Sequence, residues 1–258
     1  MPKGTPWTRE ELEVAMNIYC TVPFGLFHAR NPLIIEVAQK MERSPASLAM
    51  KLCNFASLDP VHQARGVKGL VGASQADREI WADFQDDWET HAYESEKKLA
   101  ALRGLPVEQQ AGISPLEIPK EGIDRERIVR QRVNQHFFRS AVLAAYDSQC
   151  CITGLALPEL LNASHIIPWA ENAKTRVNPA NGLCLNVLHD RAFDRGLITV
   201  SQELRVMVSP AVHRLGKTAE VQKWLLDFQD APLRRPDRFA PDSEFLAWHR
   251  EKRFRHAA

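Results

Sequence analysis

Leu160-Leu161-Asn162-Ala163-Ser164-His165-Ile166-Ile167-Pro168-Trp169 is the stretch whose reading decides the fold. It is apolar, short and bounded by proline, which predicts a strand. A polar loop, Ala170 to Pro179, follows. Asn181-Gly182-Leu183-Cys184-Leu185 then predicts a second short strand entered through a turn. Asn186 to Asp194 predicts a short helix, stopped by Gly196. Leu197-Ile198-Thr199-Val200 predicts a further strand, and Cys150-Cys151-Ile152-Thr153-Gly154 upstream is a turn.

Outward from this core the chain changes character. The helix predicted from Ile123 to Tyr146 is rich in arginine: Arg125, Arg127, Arg130, Arg132 and Arg139. Its apolar positions, among them Val129, Val133 and Phe137, can supply a buried face. Residues 104–122 hold Pro106, Pro115 and Pro119 without sustained periodicity, a linker signature. Residues 7–92 are rich in helical periodicity. Thr8 with Glu11 forms a capping-box pattern before a first helix. Leu33 to Met41 predicts a second helix, Glu42-Arg43-Ser44 a tight turn, and Pro45 to Leu58 a third helix capped by Ser44. Leu48, Leu52 and Phe55 make the buried stripe of that helix, and Ser47, Lys51 and Asn54 share a polar face. The pair resembles a helix-turn-helix DNA-binding module, with Lys51 and Asn54 as DNA contacts. An ordinary helical bundle with a solvated face is the other reading.

Composition removes several classes. Of 258 residues, 45% are hydrophobic and 25% charged, which is the mix of a globular protein and not of a disordered chain. No apolar run is long enough to cross a bilayer, so no membrane partner is expected. Met1 to Pro6 lead into a charged segment and not into an apolar signal core. Five sparse cysteines are no disulfide framework. Both features point to the cytoplasm. A net charge of +1 leaves nucleic-acid binding to local clusters of basic residues.

Ser164-His165-Ile166-Ile167-Pro168-Trp169, Asn181-Gly182-Leu183-Cys184-Leu185 and Leu188-His189-Asp190-Arg191-Ala192-Phe193-Asp194-Arg195-Gly196 together resemble the HNH endonuclease family, in the branch labelled restriction endonucleases. The resemblance implies an α+β protein. A mainly helical N-terminal domain (residues 1–103) would bind or select DNA, and a linker (104–122) would lead to a ββα-metal nuclease domain with flanking helices (123–258). It implies a metal-dependent endonuclease that hydrolyses DNA phosphodiesters in restriction or defence. His165 would be the general base. Asn181, 16 residues later, would tie the loop to it by hydrogen bonding. Asp190, nine residues beyond Asn181, would hold one divalent ion, Mg²⁺ or alternatively Mn²⁺. His189 would be a co-ligand or phosphate contact in the same catalytic group. Arg191 and Arg195 would meet the scissile phosphate, and Arg130 and Arg132 the backbone of duplex DNA. A homodimer is what symmetric double-strand cleavage would require.

Two departures qualify the resemblance. Relatives often carry Asp or His immediately before the base, where this chain has Ser164, a weak metal ligand. Other relatives hold a structural zinc with two cysteine pairs, where this chain has Cys150, Thr153, Asn186 and His189. No structural zinc is expected, and the hairpin would then be held by packing alone. Two other functions stay open: a non-catalytic DNA-binding protein with a degenerate HNH fold, and an RNase or toxin effector. Taken singly, His165 is a strand histidine, Asn181-Gly182 a turn and Asp190 a solvated helix residue. Their order and spacing carry the nuclease reading.

Overall fold

A computed structural model describes residues 5–65, 72–114, 123–215 and 218–256. The protein is α+β, and its chain divides into two compact units. The first comprises residues 1–145 with Asp237–Phe239, and the second comprises 146–236 with 240–258.

The first unit is helical. Its described helices are α1 (Arg9–Thr21), α2 (Pro32–Lys40), α3 (Pro45–Ala56), α4 (Pro60–Ala64), α5 (Gln75–Asp86), α6 (Trp88–Arg103), α7 (Val107–Gln110) and α8 (Ile123–Ala145). Every residue from Leu12 to Cys20 of α1 is buried. A helix buried on all sides has to be central, and α1 packs against α3, α5, α6 and α8. The expected capping box is present: Glu11 N–H reaches Thr8 Oγ1 at 3.2 Å, and Thr8 N–H reaches Glu11 Oε2 at 2.7 Å. Ser44 caps α3 through Ser47 N–H at 3.1 Å, and Leu48, Leu52 and Phe55 are all fully buried. The chain returns at Arg238, whose buried guanidinium donates to the carbonyls of Cys20 (3.1 Å) and Val22 (2.6 Å) and lies over the Tyr19 ring.

The boundary differs from the one expected at 104–122. Residues 115–122 lie outside the described residues, but Ala111 is buried with Val129 and Val133 of α8, and α8 packs on α1 and α6. The helix that precedes the nuclease motif therefore belongs to the helical unit. Its buried face, Val129, Val133, Phe137 and Ala141, is satisfied there.

The second unit holds β1 (Leu161–His165), β2 (Gly182–Asn186), α9 (Val187–Asp194), β3 (Ile198–Val200), β4 (Val206–Val208), α10 (Pro210–Leu215), α11 (Ala219–Trp224) and α12 (Ser243–Lys252). β1 and β2 pair antiparallel, with Leu161 opposite Asn186 and His165 opposite Gly182. β3 pairs antiparallel with β4, a strand that sequence reading did not identify. Packing of α9 against β1 and β2 completes a ββα unit. No described helix is long and apolar enough to cross a membrane.

Candidate active site

The hairpin places its functional residues by register. His165 ends β1, and its partner Gly182 begins β2, directly after Asn181. Asn181 is fully buried. Its Oδ1 accepts from Ile167 N–H at 2.8 Å, its Nδ2 donates to Ile167 O at 2.9 Å, and its carbonyl accepts from Ile166 N–H at 2.9 Å. Three bonds from one residue thus fix the backbone just beyond His165. The tether implied by the resemblance takes this form here: the side chain grips the main chain after the imidazole and not the ring itself.

His165 Nε2 lies 2.8 Å from the carbonyl of Arg176. A carbonyl only accepts, so Nε2 carries the proton and the lone pair is on Nδ1. Burial pushes the pKa of His165 below the usual imidazole value, against the opposing effects of the Arg176 hydrogen bond and the Asp190 charge. The ring is therefore neutral and basic near pH 7. Trp169 meets it edge-on, with centroids 5.7 Å apart.

Asp190 stands in the first turn of α9, and its Oδ2 accepts from Asn162 Nδ2 at 2.7 Å. A carboxylate near a helix N-terminus is favoured by the dipole. Its charge acts on His165 and also on Asp194. Partial desolvation raises the pKa of Asp194 first, the Asp190 charge raises it further, and Arg191, Arg253 and Arg195 oppose both. Asp194 therefore has three guanidinium neighbours at the unfavourable end of the helix dipole.

His189 departs from its expected role. It is buried, Asn186 Nδ2 donates to its Nδ1 at 3.0 Å, and its Nε2 donates to Trp224 O at 2.8 Å. Asn186 cannot be turned the other way, because its Oδ1 caps α9 by accepting from Leu188 N–H (3.1 Å) and His189 N–H (2.9 Å). With both ring nitrogens engaged, His189 is neither a metal ligand nor a phosphate contact in this arrangement. It is structural instead. Asn186 Nδ2 also points to Cys150 Sγ (3.7 Å) and Thr153 Oγ1 (3.4 Å). Cys150, Thr153, Asn186 and His189 thus meet in a hydrogen-bonded cluster. The expectation that packing alone holds the hairpin is corrected by this polar network.

A cavity of about 520 Å³ opens beside His165, lined also by Arg191, Asp194, Arg195, His249, Lys252, Arg253 and Arg255. Five cationic side chains against one carboxylate give it strong positive potential despite the balanced whole. Arg191 and Arg195, both candidates from sequence, are among the lining residues. Lys252, Arg253 and Arg255 belong to the basic, aromatic stretch from Trp248 to His256, for which the sequence leaves open docking on the nuclease core or contact with the nucleic-acid backbone. Asn162 was also missed, and its only signal is a polar residue two positions from Ser164 on one strand face.

The remaining expected contacts are differently engaged. Lys51 is buried and pairs with Asp77 at 2.8 Å, and Asn54 is buried at 8% exposure. Neither lies on an open recognition face, so the helix-turn-helix contacts are corrected to core-facing groups. Arg130 NH2 donates to Thr90 Oγ1 at 3.1 Å and its guanidinium covers Tyr93, a packing role on α6. Arg132 is exposed, and NH1 bonds Gln135 at 3.4 Å one turn away.

Among the described residues no group of three or more His, Cys, Asp or Glu side chains is arranged to hold a metal ion. The Asp190 carboxylate, held by Asn162, is not among the residues that line the His165 cavity. The Ser164 hydroxyl, 2% exposed and without a hydrogen-bond partner among the described residues, lies on the strand face opposite His165. Ser164 shares the strand face of Asn162, the residue that holds Asp190. Such a donor set fits a hard, largely hydrated ion resting on one or two protein oxygens. It does not fit a tetrahedral nitrogen and sulfur site.

Residues 150–201 match the family model described as HNH endonuclease. This segment of the chain is therefore of the HNH endonuclease family, and the ββα unit of β1, β2 and α9 lies within it. No curated protein matches the chain. The first unit and α12 lie outside the matched residues.

Proposed function

We propose that the protein is a metal-dependent endonuclease that hydrolyses phosphodiester bonds in duplex DNA. The observation that carries this reading is the neutral, carbonyl-anchored His165 facing a cavity lined by five cations. A nucleic-acid substrate follows from the matched family, and the choice of DNA is the finer proposal.

Arg191 and Arg195 draw the scissile phosphate into the cavity. The Nδ1 of His165 takes a proton from the attacking water. The ring is held in the productive tautomer by the Arg176 carbonyl, and the imidazolium that forms is stabilised by the charge of Asp190. Asn181 keeps the backbone after His165 in place. A divalent ion, Mg²⁺ or Mn²⁺, held by Asp190 and Ser164 with waters, would supply neutralisation of charge on the phosphate and on the departing 3′ oxygen. Products would carry 5′ phosphates. Arg132 on the open face of α8 is the proposed DNA contact of the helical unit. A homodimer would be needed for symmetric double-strand cutting. Restriction or defence in the cytoplasm is the role suggested by family analogy.

One observation favours a second reading, a DNA-binding protein that has lost catalysis: the position expected to supply a second metal ligand is the buried hydroxyl of Ser164. End-labelled duplex DNA, single-stranded DNA and single-stranded RNA, each incubated with Mg²⁺ or Mn²⁺, separate the readings. Cleavage of duplex DNA with 5′-phosphate ends supports the first. Binding without cleavage under every metal supports the second, and cutting confined to RNA points to an RNase.

A further inference from the structure

The C-terminal helix α12 lies outside the matched segment, yet it is bonded to it. His249 Nε2 donates to Phe193 O at 3.1 Å, its Nδ1 accepts from Thr199 Oγ1 at 2.8 Å, and its ring stacks on Phe193 at 3.6 Å. Arg250 NH1 donates to Val200 O at 2.9 Å. Beyond the helix, Arg255 N–H reaches Gly196 O at 3.1 Å, and Arg255 O accepts from Ser209 Oγ at 2.7 Å. Phe254, next to Arg255, is buried. Gly196 permits this passage twice over: its φ is +65°, and a Cβ there would collide with the carbonyl of Arg253.

Docking through buried and main-chain groups leaves the charged side chains of Lys252, Arg253 and Arg255 on the wall of the His165 cavity. There they face Arg191 and Arg195 of α9 and its C-terminal end, more than fifty positions earlier in the chain. Asp194, in the same cavity, is one counter-charge shared among Arg191, Arg253 and Arg195, and the other local acidic groups balance the cluster weakly. Arg253 stands 3.6 Å from Glu171 with both side chains well exposed, and Lys252 pairs with its neighbour Glu251 at 2.7 Å. Exposed pairs of this kind contribute little and exchange readily. Convergent cations from two elements suit a chain of phosphates, and the arginine fork suits two oxygens of one phosphate.

We infer that Arg253 and Arg255, with Lys252, form a phosphate clamp that holds the nucleic-acid backbone against Arg191 and Arg195, so that the end of α12 and the residues just after it complete the nuclease site. This rests on the proposed reading that the cavity receives nucleic acid, and it assigns backbone binding to residues outside the matched segment. The clamp acts on binding, whereas His165 acts on bond cleavage.

The test uses the full chain carrying Arg253→Gln and Arg255→Gln together, substitutions that spare the main-chain docking bonds. Binding to a fluorescent DNA duplex is followed by anisotropy over a range of salt, with Ca²⁺ in place of Mg²⁺. Arg214→Ala, an exposed arginine outside the cavity lining, is the charge control. The clamp predicts affinity at least roughly tenfold weaker and a slope of log K against log salt shallower by about two, since each phosphate left without its cation takes about 0.9 from the slope. With Mg²⁺, KM should rise while kcat stays close to wild type. Wild-type affinity and slope in the double variant, or equal losses in Arg214→Ala, would overturn the clamp even if the enzyme cuts DNA. Loss of binding in the double variant, with no cleavage by wild type, would sustain the clamp and refute the nuclease.

Discussion

Asp190 lies between two neighbours with different demands: its Oδ2 accepts from Asn162 at 2.7 Å, and its charge acts on the imidazole of His165. The hydrogen bond fixes the carboxylate on the strand that ends in the base. Orientation by Asn162 therefore couples the helix residue to the hairpin residue. Asn162→Ala should leave the fold intact and lower cleavage by roughly tenfold, the scale seen when partners of metal-binding carboxylates are removed. Plasmid nicking rates at several Mg²⁺ concentrations check this, and an unchanged rate would remove Asn162 from the site.

The pH dependence of cleavage follows from the environment of His165. Burial holds its pKa below the usual 6.5. A general base works only when deprotonated, so activity should be complete near pH 7 and decline as pH falls through a value below 6.5. A bound cation would push the same way. An acid limb of kcat/KM centred above 6.5 would contradict the buried, neutral ring.

Asn181 supplies two buried side-chain bonds to the backbone of Ile167. Removing them leaves an N–H and a carbonyl unpaired in the core, at about 1–3 kcal/mol each. Asn181→Ala should lower the unfolding free energy by about 2–6 kcal/mol and abolish cleavage. Asn181→Asp, which keeps the acceptor but not the donor, should fall between. Denaturant unfolding read beside activity distinguishes this tether from a direct chemical role.

His249 links pH to the docking of α12. Burial carries its pKa down to about 4, against the Phe193 hydrogen bond, with Arg253 and Arg250 adding to the fall. The unfolded chain binds a proton near 6.5 that the folded chain refuses. Its contribution is thus complete above 6.5 and is lost as pH drops from 6.5 towards 4. The shift corresponds to stability on the order of 3 kcal/mol. Thermal unfolding between pH 7 and 4 should show this loss, and His249→Phe should flatten it. Parallel curves for the two proteins would sink the assignment.

Lys51 tests the reading of the helical unit. Its ion pair with the fully buried Asp77 is structural. Lys51→Ala should cost about 3–5 kcal/mol by leaving a carboxylate unpaired, while the double change Lys51→Met with Asp77→Leu should be far milder. Circular dichroism during denaturation measures both. A stable Lys51→Ala protein that has lost DNA binding would restore the recognition-helix interpretation.

The elements of the hairpin and α9 were legible because their apolar runs are short and punctuated by Pro168, Asn181-Gly182 and Gly196. The capping chemistry of Thr8 and Ser44 was equally plain, since those bonds are local. What escaped was long-range. Lys51 looks like a surface residue until Asp77, 26 positions on, is brought against it. His189 looks like a ligand until the carbonyl of Trp224 and the amide of Asn186 take up its nitrogens. Backbone acceptors such as Arg176 O and Trp224 O leave no mark in a sequence. The buried stripe of α8, Val129, Val133 and Phe137, is visible in the sequence, but nothing local to it says that it packs on α1 and α6.

The most direct measurement of the central claim compares purified wild type with His165→Ala on supercoiled plasmid in Mg²⁺ and Mn²⁺, with matched thermal melts to show that both are folded. Wild type should nick the plasmid, and the variant should lose at least roughly a hundredfold in rate, as expected for a missing general base. Equal rates in the two folded proteins, or no cleavage by wild type under either metal, would contradict it.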